Sequence, residues 1–190
     1  MFNRQIDILS IGDITTDAFI CLKQAEVHCR VNREDCEICF PFGAKIPFES
    51  VKVVKAVGNA ANAAVAAARL GLKSSWVSNV GDDQNGKDCA VELGKNGVAT
   101  DLVRVHKGKP TNYHFVLWYG SDRTILTNHV DYDYRLPKLP TPKWVYLTSL
   151  SSHSNNYHEE IANWLDAHPT VKLAFQPGTF QIKIGHERLK

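Results

Sequence analysis

Apolar positions along the chain follow two alternating patterns, one typical of strands and one typical of helices. Residues 6–14 (IDILSIGDI) form a nearly continuous β-branched run, which predicts a strand buried on both faces of a sheet. Residues 58–70 predict a helix instead, which Gly71 ends. Further runs of both kinds then alternate, with strands in SSWVSNV, LVRVH, YHFVLWY, RTILTNH, KWVYLTSL and VKLAFQPG, and helices in QNGKDCAVELGKNG and SNNYHEEIANWLDAH. This alternation predicts an α/β fold with a mostly parallel sheet.

A different pattern lies between the first strand and the first helix. The segments DAFICL and VKVVKAV alternate apolar and polar positions, as half-exposed strands do. They flank a cysteine-rich segment and do not fit the core sheet. We therefore predict a single domain over residues 1–190, with a small β flap inserted at about residues 18–55. The short GSD segment between YHFVLWY and RTILTNH predicts a further hairpin.

Composition and charge narrow the classes of function. The 190 residues are 44% hydrophobic, enough for one substantial core, and the net charge is only +2. No basic block is present, so we expect neither nucleic acid nor an anionic membrane as the main partner. The apolar runs are short, and the N-terminal MFNRQIDILSIGD lacks the features of a signal peptide, which predicts a cytoplasmic protein. The chain contains no G-x-x-x-x-G-K-[ST] loop, and no G-x-G-x-x-G follows the first strand.

The five cysteines leave two interpretations open. An odd number of cysteines without a secretion signal argues against a disulfide framework. Four of them fall within nineteen residues, and Cys36 and Cys39 form a C-x-x-C pair downstream of Cys29. Thiolates suit zinc, so one expectation is a structural zinc on Cys29, Cys36, Cys39 and either Cys21 or His28. The spacing fits no standard two-knuckle pattern, and reduced thiols packed on a small β element are the other expectation.

The start of the alanine-rich helix carries polar residues that a buried helix does not need. Asn59 and Asn62 follow Gly58 there, and the segment GDITTD supplies Asp13 and Asp17. Ligands of open α/β sheets bind outside the carboxyl ends of the strands, where we expect these groups. Carboxylates accept hydroxyl protons, amides donate and accept, and glycine lets a ligand approach the backbone. The pattern predicts a site for neighbouring hydroxyls of a neutral polyol, and the alternative is helix capping by asparagine with a turn at Asp17.

The segment GNAANAAVAAARLG, followed by SSWVSNVGDDQNG, resembles the N-terminal signature of the ribokinase-like (PfkB) carbohydrate kinases. That signature combines a glycine pair, an asparagine, a small-residue helix ending in R-L-G, a strand and G-x-D-x-x-G. The resemblance implies a three-layer αβα, Rossmann-like domain with a β lid that closes over the sugar. It also implies that Asp17, Gly58 and Asn62 bind the substrate, with Asn59 at a position where some members have Lys or Asn.

The sequence departs from this family pattern in two ways. Val57 replaces the first glycine of the usual pair, at a position where the family allows close approach of a ligand. The family's D-T-x-G-A-G-D segment, which supplies an anion hole and the catalytic aspartate, has no counterpart in the 190 residues. The family's N-x-x-E element, which follows a strand and turn that AFQPGTF resembles, is missing after that segment. The resemblance therefore implies the N-terminal part of the fold, with the C-terminal half and the catalytic residue missing.

The activity that the resemblance implies is that of the parent protein. It would be an ATP- and Mg²⁺-dependent kinase that phosphorylates a hydroxymethyl group of a sugar or nucleoside, with both cofactors bound mainly by the missing half. The 190 residues alone are then expected to be inactive. The alternative from another class is a non-catalytic sugar-binding or interaction module with the same fold. Lids of this family sometimes pair between subunits, so the resemblance also implies a possible homodimer through the lid.

Overall fold

The computed structural model describes residues 5–30 and 35–184, with side chains through residue 183. In chain order these residues form β1 (Ile8–Ile11), β2 (Thr15–Leu22), β3 (Glu26–His28), β4 (Glu37–Cys39), β5 (Phe48–Val57), α1 (Asn59–Arg69), β6 (Ser74–Val77), β7 (Asn79–Gly81), α2 (Gln84–Lys95), β8 (Arg104–His106), β9 (Tyr113–Tyr119), β10 (Asp122–Asn128), β11 (Trp144–Leu147), α3 (Asn155–Asp166), β12 (Lys172–Phe175) and α4 (Thr179–Ile184).

The described residues form two compact units. The α/β unit contains the chain up to Thr16, Lys55–Asn112 and the residues from His129 on, whereas the β unit contains Asp17–Val54 and Tyr113–Asn128. The predicted flap at residues 18–55 therefore corresponds to most of the β unit, and residues 31–34 of that prediction lie outside the described part. No helix in the described part is long and apolar enough to cross a membrane.

A four-stranded sheet in the order β12-β11-β1-β6, parallel throughout, is the centre of the α/β unit. Leu9 and Ile11 of β1 share one apolar cluster with Tyr157 and Ile161 of α3. Side chains alternate along a strand, so Ser10 points to the opposite face, where the α1 alanines and Trp76 of β6 form the second cluster. Helices thus cover both faces of the sheet, and the prediction of an α/β fold with a mostly parallel sheet is confirmed.

The alanines of α1 explain how closely this helix approaches the sheet. Ala60, Ala61 and Ala64 are fully buried against it. A Cβ added to Gly12, just after β1, would lie 2.9 Å from Ala60 Cβ and 2.9 Å from Thr148 Cγ2. The crowding requires small residues on both sides of this junction.

The first strand is shorter than its apolar run predicts. We expected a continuous strand over residues 6–14, whereas β1 ends at Ile11 and the chain turns before β2 begins at Thr15. Ile14 beyond the turn is still buried, in the second apolar cluster. A run of apolar residues indicates burial, but it does not show where the backbone leaves the sheet. The predicted length of the first strand was therefore wrong.

The β unit contains a sheet in the order β10-β9-β2-β5 and a separate β3–β4 hairpin. Strands β9 and β10 are antiparallel, with Asp122 opposite Tyr119, so residues 120 and 121 form a two-residue turn. Gly120 has a φ of 61° in that turn, a conformation that glycine adopts without steric cost. The predicted hairpin is confirmed.

The cysteine segment differs from both sequence expectations. In the antiparallel β3–β4 hairpin, Glu26 pairs with Cys39 and His28 with Glu37, so Cys29 and Cys36 occupy the next opposed positions. They form a disulfide, whereas Cys21 and Cys39 are free thiols.

The disulfide removes two of the three cysteines predicted to bind zinc. Oxidised sulfurs are not thiolate ligands, so a zinc site on Cys29, Cys36 and Cys39 is not supported, and the expectation of reduced thiols at Cys29 and Cys36 is wrong. Within residues 5–30 and 35–184, no group of three or more His, Cys, Asp or Glu side chains is placed to hold a metal ion. Nothing in this part of the chain is therefore assigned to zinc or to magnesium. The odd cysteine count did not reveal the pairing, because a cross-strand disulfide needs only two opposed positions in one hairpin.

Candidate functional site

Helix α1 begins directly after Gly58, and the fold requires glycine at this position. Its φ of 131° is a conformation that other residues rarely adopt. A Cβ here would lie 2.8 Å from the carbonyl oxygen of Asp13. Ala56, two residues earlier, also takes a positive φ, 58°, so the backbone is strained where β5 leads into α1. The structure gives Gly58 a backbone role whether or not a ligand approaches it.

Asn59 and Asn62 are exposed residues in the first turns of α1. The amide of Asn59 donates to Ser149 Oγ at 3.2 Å and more weakly to Thr148 Oγ1 at 3.4 Å, both just beyond β11. The residue at the N-cap position is Gly58, which has no side chain, so the alternative that an asparagine caps this helix is wrong. The Asn59 amide instead lies beside the carboxyl end of β11, and Asn62 lies one turn further along the exposed side of α1.

Asp17 lies in β2, in the β unit, and not in a turn. Its side chain is 11% exposed, and its enclosed Oδ1 atom has no hydrogen bond within the described residues. The same atom lies 3.4 Å from Nδ1 of His114, whose side chain is 13% exposed, on the neighbouring strand β9. Leaving a buried acceptor without a hydrogen bond costs about 1–3 kcal/mol. Such a carboxylate is poorly suited to a purely structural role.

Asp13, by contrast, is fully engaged inside the α/β unit. Both of its carboxylate oxygens accept from the Tyr134 hydroxyl, at 2.8 and 2.9 Å, and Oδ2 also accepts from Ser151 N at 2.8 Å. The Tyr134 hydroxyl lies 3.0 Å from Ser151 Oγ. Burial raises the pKa of Asp13 to about 6, against the opposing effect of these hydrogen bonds. Burial, together with the negative charge of Asp13, also raises the pKa of Tyr134. Asp13 therefore joins the turn after β1 to the loop after β11.

The G-x-D-x-x-G segment folds as the entry to α2. Asp83 caps this helix through a 2.9 Å bond from Gly86 N, and it also accepts from Thr111 N at 3.0 Å and from Thr111 Oγ1 at 2.6 Å. Burial opposes ionisation of Asp83, but the bonds from Thr111 and Gly86 outweigh it and lower its pKa. A Cβ on Gly86 would lie 2.4 Å from the Gly81 carbonyl oxygen. These signature residues hold the turn together, and their contacts give no indication of a ligand.

The sequence-predicted residues divide between the two units. Gly58, Asn59 and Asn62 lie together at the start of α1 in the α/β unit, whereas Asp17 belongs to the β unit. Sequence reasoning missed His114, because a histidine in a strand carries no signal that shows which residue of the neighbouring strand it faces.

Comparison with known proteins supports a single family. The family model described as "pfkB family carbohydrate kinase" matches residues 44–176. Fructokinase from Solanum tuberosum is 44% identical over 69 residues, which are 36% of this chain and 22% of that protein.

Two solved structures show the same fold. The nucleoside kinase of Methanocaldococcus jannaschii, an archaeal member of the ribokinase family, superposes with a TM-score of 0.67 at 16% identity, over 96% of this chain and 56% of that one. The ribokinase of Arabidopsis thaliana complexed with ribose and ATP superposes with a TM-score of 0.62 at 19% identity, over 90% of this chain and 53% of that one. The chain thus spans about half the length of these structures.

Proposed function

The chain belongs to the pfkB family of carbohydrate kinases, and from that premise we propose that it is the substrate-binding part of a longer kinase. The reaction proposed for the longer protein is transfer of the γ-phosphoryl group of ATP, with Mg²⁺, to a hydroxymethyl group of a sugar or nucleoside. The observation that carries the proposal is Asp17, an almost enclosed carboxylate whose Oδ1 is approached only by His114 Nδ1, at 3.4 Å, among the described residues. Substrate hydroxyl groups are donors that such a carboxylate can accept.

In this proposal the named residues hold and orient the substrate. Asp17 accepts hydrogen bonds from substrate hydroxyls, and the amides of Asn59 and Asn62 donate to or accept from others. Gly58 contributes the backbone at the start of α1, whose first N–H groups have no partner within the helix. Phosphoryl transfer depends mainly on positioning and electrostatic stabilisation, so fixing one hydroxymethyl group is a direct contribution to rate.

We propose no catalytic residue within the 190 residues. The family segment that supplies the catalytic aspartate has no counterpart in this sequence. The chain alone is therefore expected to turn over no sugar. Its proposed partner is a small sugar or nucleoside rather than nucleic acid or a membrane, and its proposed location is the cytoplasm.

A homodimer through the β unit is part of the proposal. On β9 and β10, Phe115 and Leu126 are directly opposed and therefore share one face, 46% and 51% exposed. Side chains alternate along a strand, so this face is opposite to the face on which His114 meets Asp17. Exposed apolar residues side by side on a sheet are typical of a surface that another protein covers.

The experiment that tests the proposed function is a phosphorylation assay on the full-length protein that contains this chain. Pentoses, hexoses and nucleosides are each supplied with ATP and Mg²⁺, and the phosphorylated product is identified by mass spectrometry. We expect turnover of at least one compound by the full-length protein and none by residues 1–190. Sugar binding by the full-length protein without turnover would favour a non-catalytic sugar-binding module, and neither binding nor turnover would refute the proposal.

A further inference from the structure

The contact between Asp17 and His114 is the feature of the β unit that the proposed roles leave unexplained. Both side chains are almost enclosed, 11% and 13% exposed, and Asp17 Oδ1 lies 3.4 Å from His114 Nδ1. They reach each other from neighbouring strands, β2 and β9. The distance is that of an ion pair and is longer than that of a well-formed hydrogen bond.

A carboxylate on a strand is free to rotate about its last torsion unless a neighbour fixes it. That torsion has a broad energy profile, so burial alone does not select one orientation of the two oxygens. An imidazole N–H directed at Oδ1 selects one, and it leaves Oδ2 as the oxygen that an incoming hydroxyl meets. Hydrogen bonds that are long in a free enzyme often shorten when the substrate binds, so the 3.4 Å separation is compatible with this role.

We propose that His114 is a positioning residue for the substrate carboxylate Asp17. This inference rests on the proposed function, because it assigns to His114 the orientation of a group that binds the sugar or nucleoside. His114 Nδ1–H holds Oδ1, so that Oδ2 accepts a substrate hydroxyl in one fixed direction. The effect of His114 on substrate binding is therefore transmitted through Asp17.

A purely structural histidine would give a different result from a positioning histidine. Loss of a structural side chain lowers the amount of folded protein, and with it the apparent kcat, without changing the KM of the molecules that remain folded. Loss of a positioning residue raises the KM for the sugar or nucleoside and leaves the KM for ATP unchanged. We expect His114→Ala to raise the KM for the phosphoryl acceptor by about 10- to 100-fold, the range for losing one hydrogen bond to a charged group.

Two variants of similar size show which ring nitrogen of His114 positions Asp17. His114→Asn places an amide N–H near the position of Nδ1, and His114→Gln places one near Nε2. We expect substantial rescue of the acceptor KM by His114→Asn and little by His114→Gln. Thr127→Ala is the matched control, because Thr127 is exposed and directly opposite His114 on β10, and we expect it to behave as the wild type.

The decisive test is a double-mutant cycle on the full-length protein, with an acceptor that the wild type phosphorylates. If His114 acts through Asp17, adding His114→Ala to an Asp17→Ala background changes the acceptor KM by less than about twofold, whereas it acts strongly in the wild-type background. Additive effects, or an unchanged KM in the single His114→Ala variant, would overturn this inference while leaving the proposed function intact. Absence of any acceptor for the wild type would instead refute the proposed function itself.

Discussion

Asp13 is the residue whose charge is most tightly coupled to the fold. Its carboxyl accepts hydrogen bonds from Tyr134 and Ser151, and burial raises its pKa from 3.8 to about 6. Between these two pH values the folded protein binds more protons at this site than the unfolded chain does. The contribution of Asp13 to the free energy of unfolding therefore falls as the pH rises from about 4 to 6, by roughly 3 kcal/mol in total.

Replacing Asp13 by Asn should remove this pH dependence. Urea unfolding of the full-length protein at several pH values between 4 and 7 measures the free energy of unfolding. The value to follow is the free energy of unfolding of Asp13→Asn minus that of the wild type at each pH. We expect the wild type to lose stability relative to Asp13→Asn as the pH rises. In Tyr134→Phe, which lacks a hydrogen bond that lowers the pKa of Asp13, the loss should extend to higher pH. Parallel curves for all three proteins would contradict the assignment.

At the scale of elements, the turn into α2 depends on one carboxylate. Asp83 caps the helix and accepts two hydrogen bonds from Thr111, which lies just before β9. Asp83→Ala is expected to lower the free energy of unfolding by about 2–3 kcal/mol, from the lost cap and the unpaired Thr111 groups. Urea unfolding checks this value, and Lys87→Ala on the exposed side of α2 serves as the control with a change below about 0.5 kcal/mol. A loss in Asp83→Ala no larger than in the control would refute it.

The elements also show how far the sequence could predict the structure. Helix α1 was predicted almost to the residue, because local signals mark both of its ends: Gly58 at the start and Gly71, with a φ of 85°, after the end. The break after β1 was missed, because Ile14 beyond the turn is as buried as the strand residues and the apolar run continues through it. Nor did the sequence reveal the Asp13–Tyr134 network, whose partners are 121 positions apart. The ends of a helix can be predicted from neighbouring residues in the sequence, whereas hydrogen bonds between residues far apart in the sequence become visible only in the folded structure.

At the scale of the whole molecule, the proposed homodimer predicts an effect of charge on one face of the β unit. Leu126→Glu places a charge on the exposed apolar face that is opposite to Asp17, and burying it at an interface would be costly. We expect sedimentation equilibrium to show a dimer for the wild type and a weakened dimer for this variant. Val91→Glu is the matched control, because Val91 is 56% exposed on α2 in the α/β unit. A monomeric wild type would exclude the dimer.

The substrate site is the central claim for the whole molecule, and affinity at Asp17 tests it most directly. Isothermal titration calorimetry of the full-length protein with its phosphoryl acceptor compares the wild type with Asp17→Ala. Loss of hydrogen bonds to a charged group predicts weaker binding by about 2–4 kcal/mol, or about 30- to 1,000-fold. The free energy of unfolding should change little, because the contact of Asp17 Oδ1 with His114 Nδ1, at 3.4 Å, is longer than a well-formed hydrogen bond. Unchanged affinity, or a loss of stability instead of affinity, would show that Asp17 serves the fold and not the substrate.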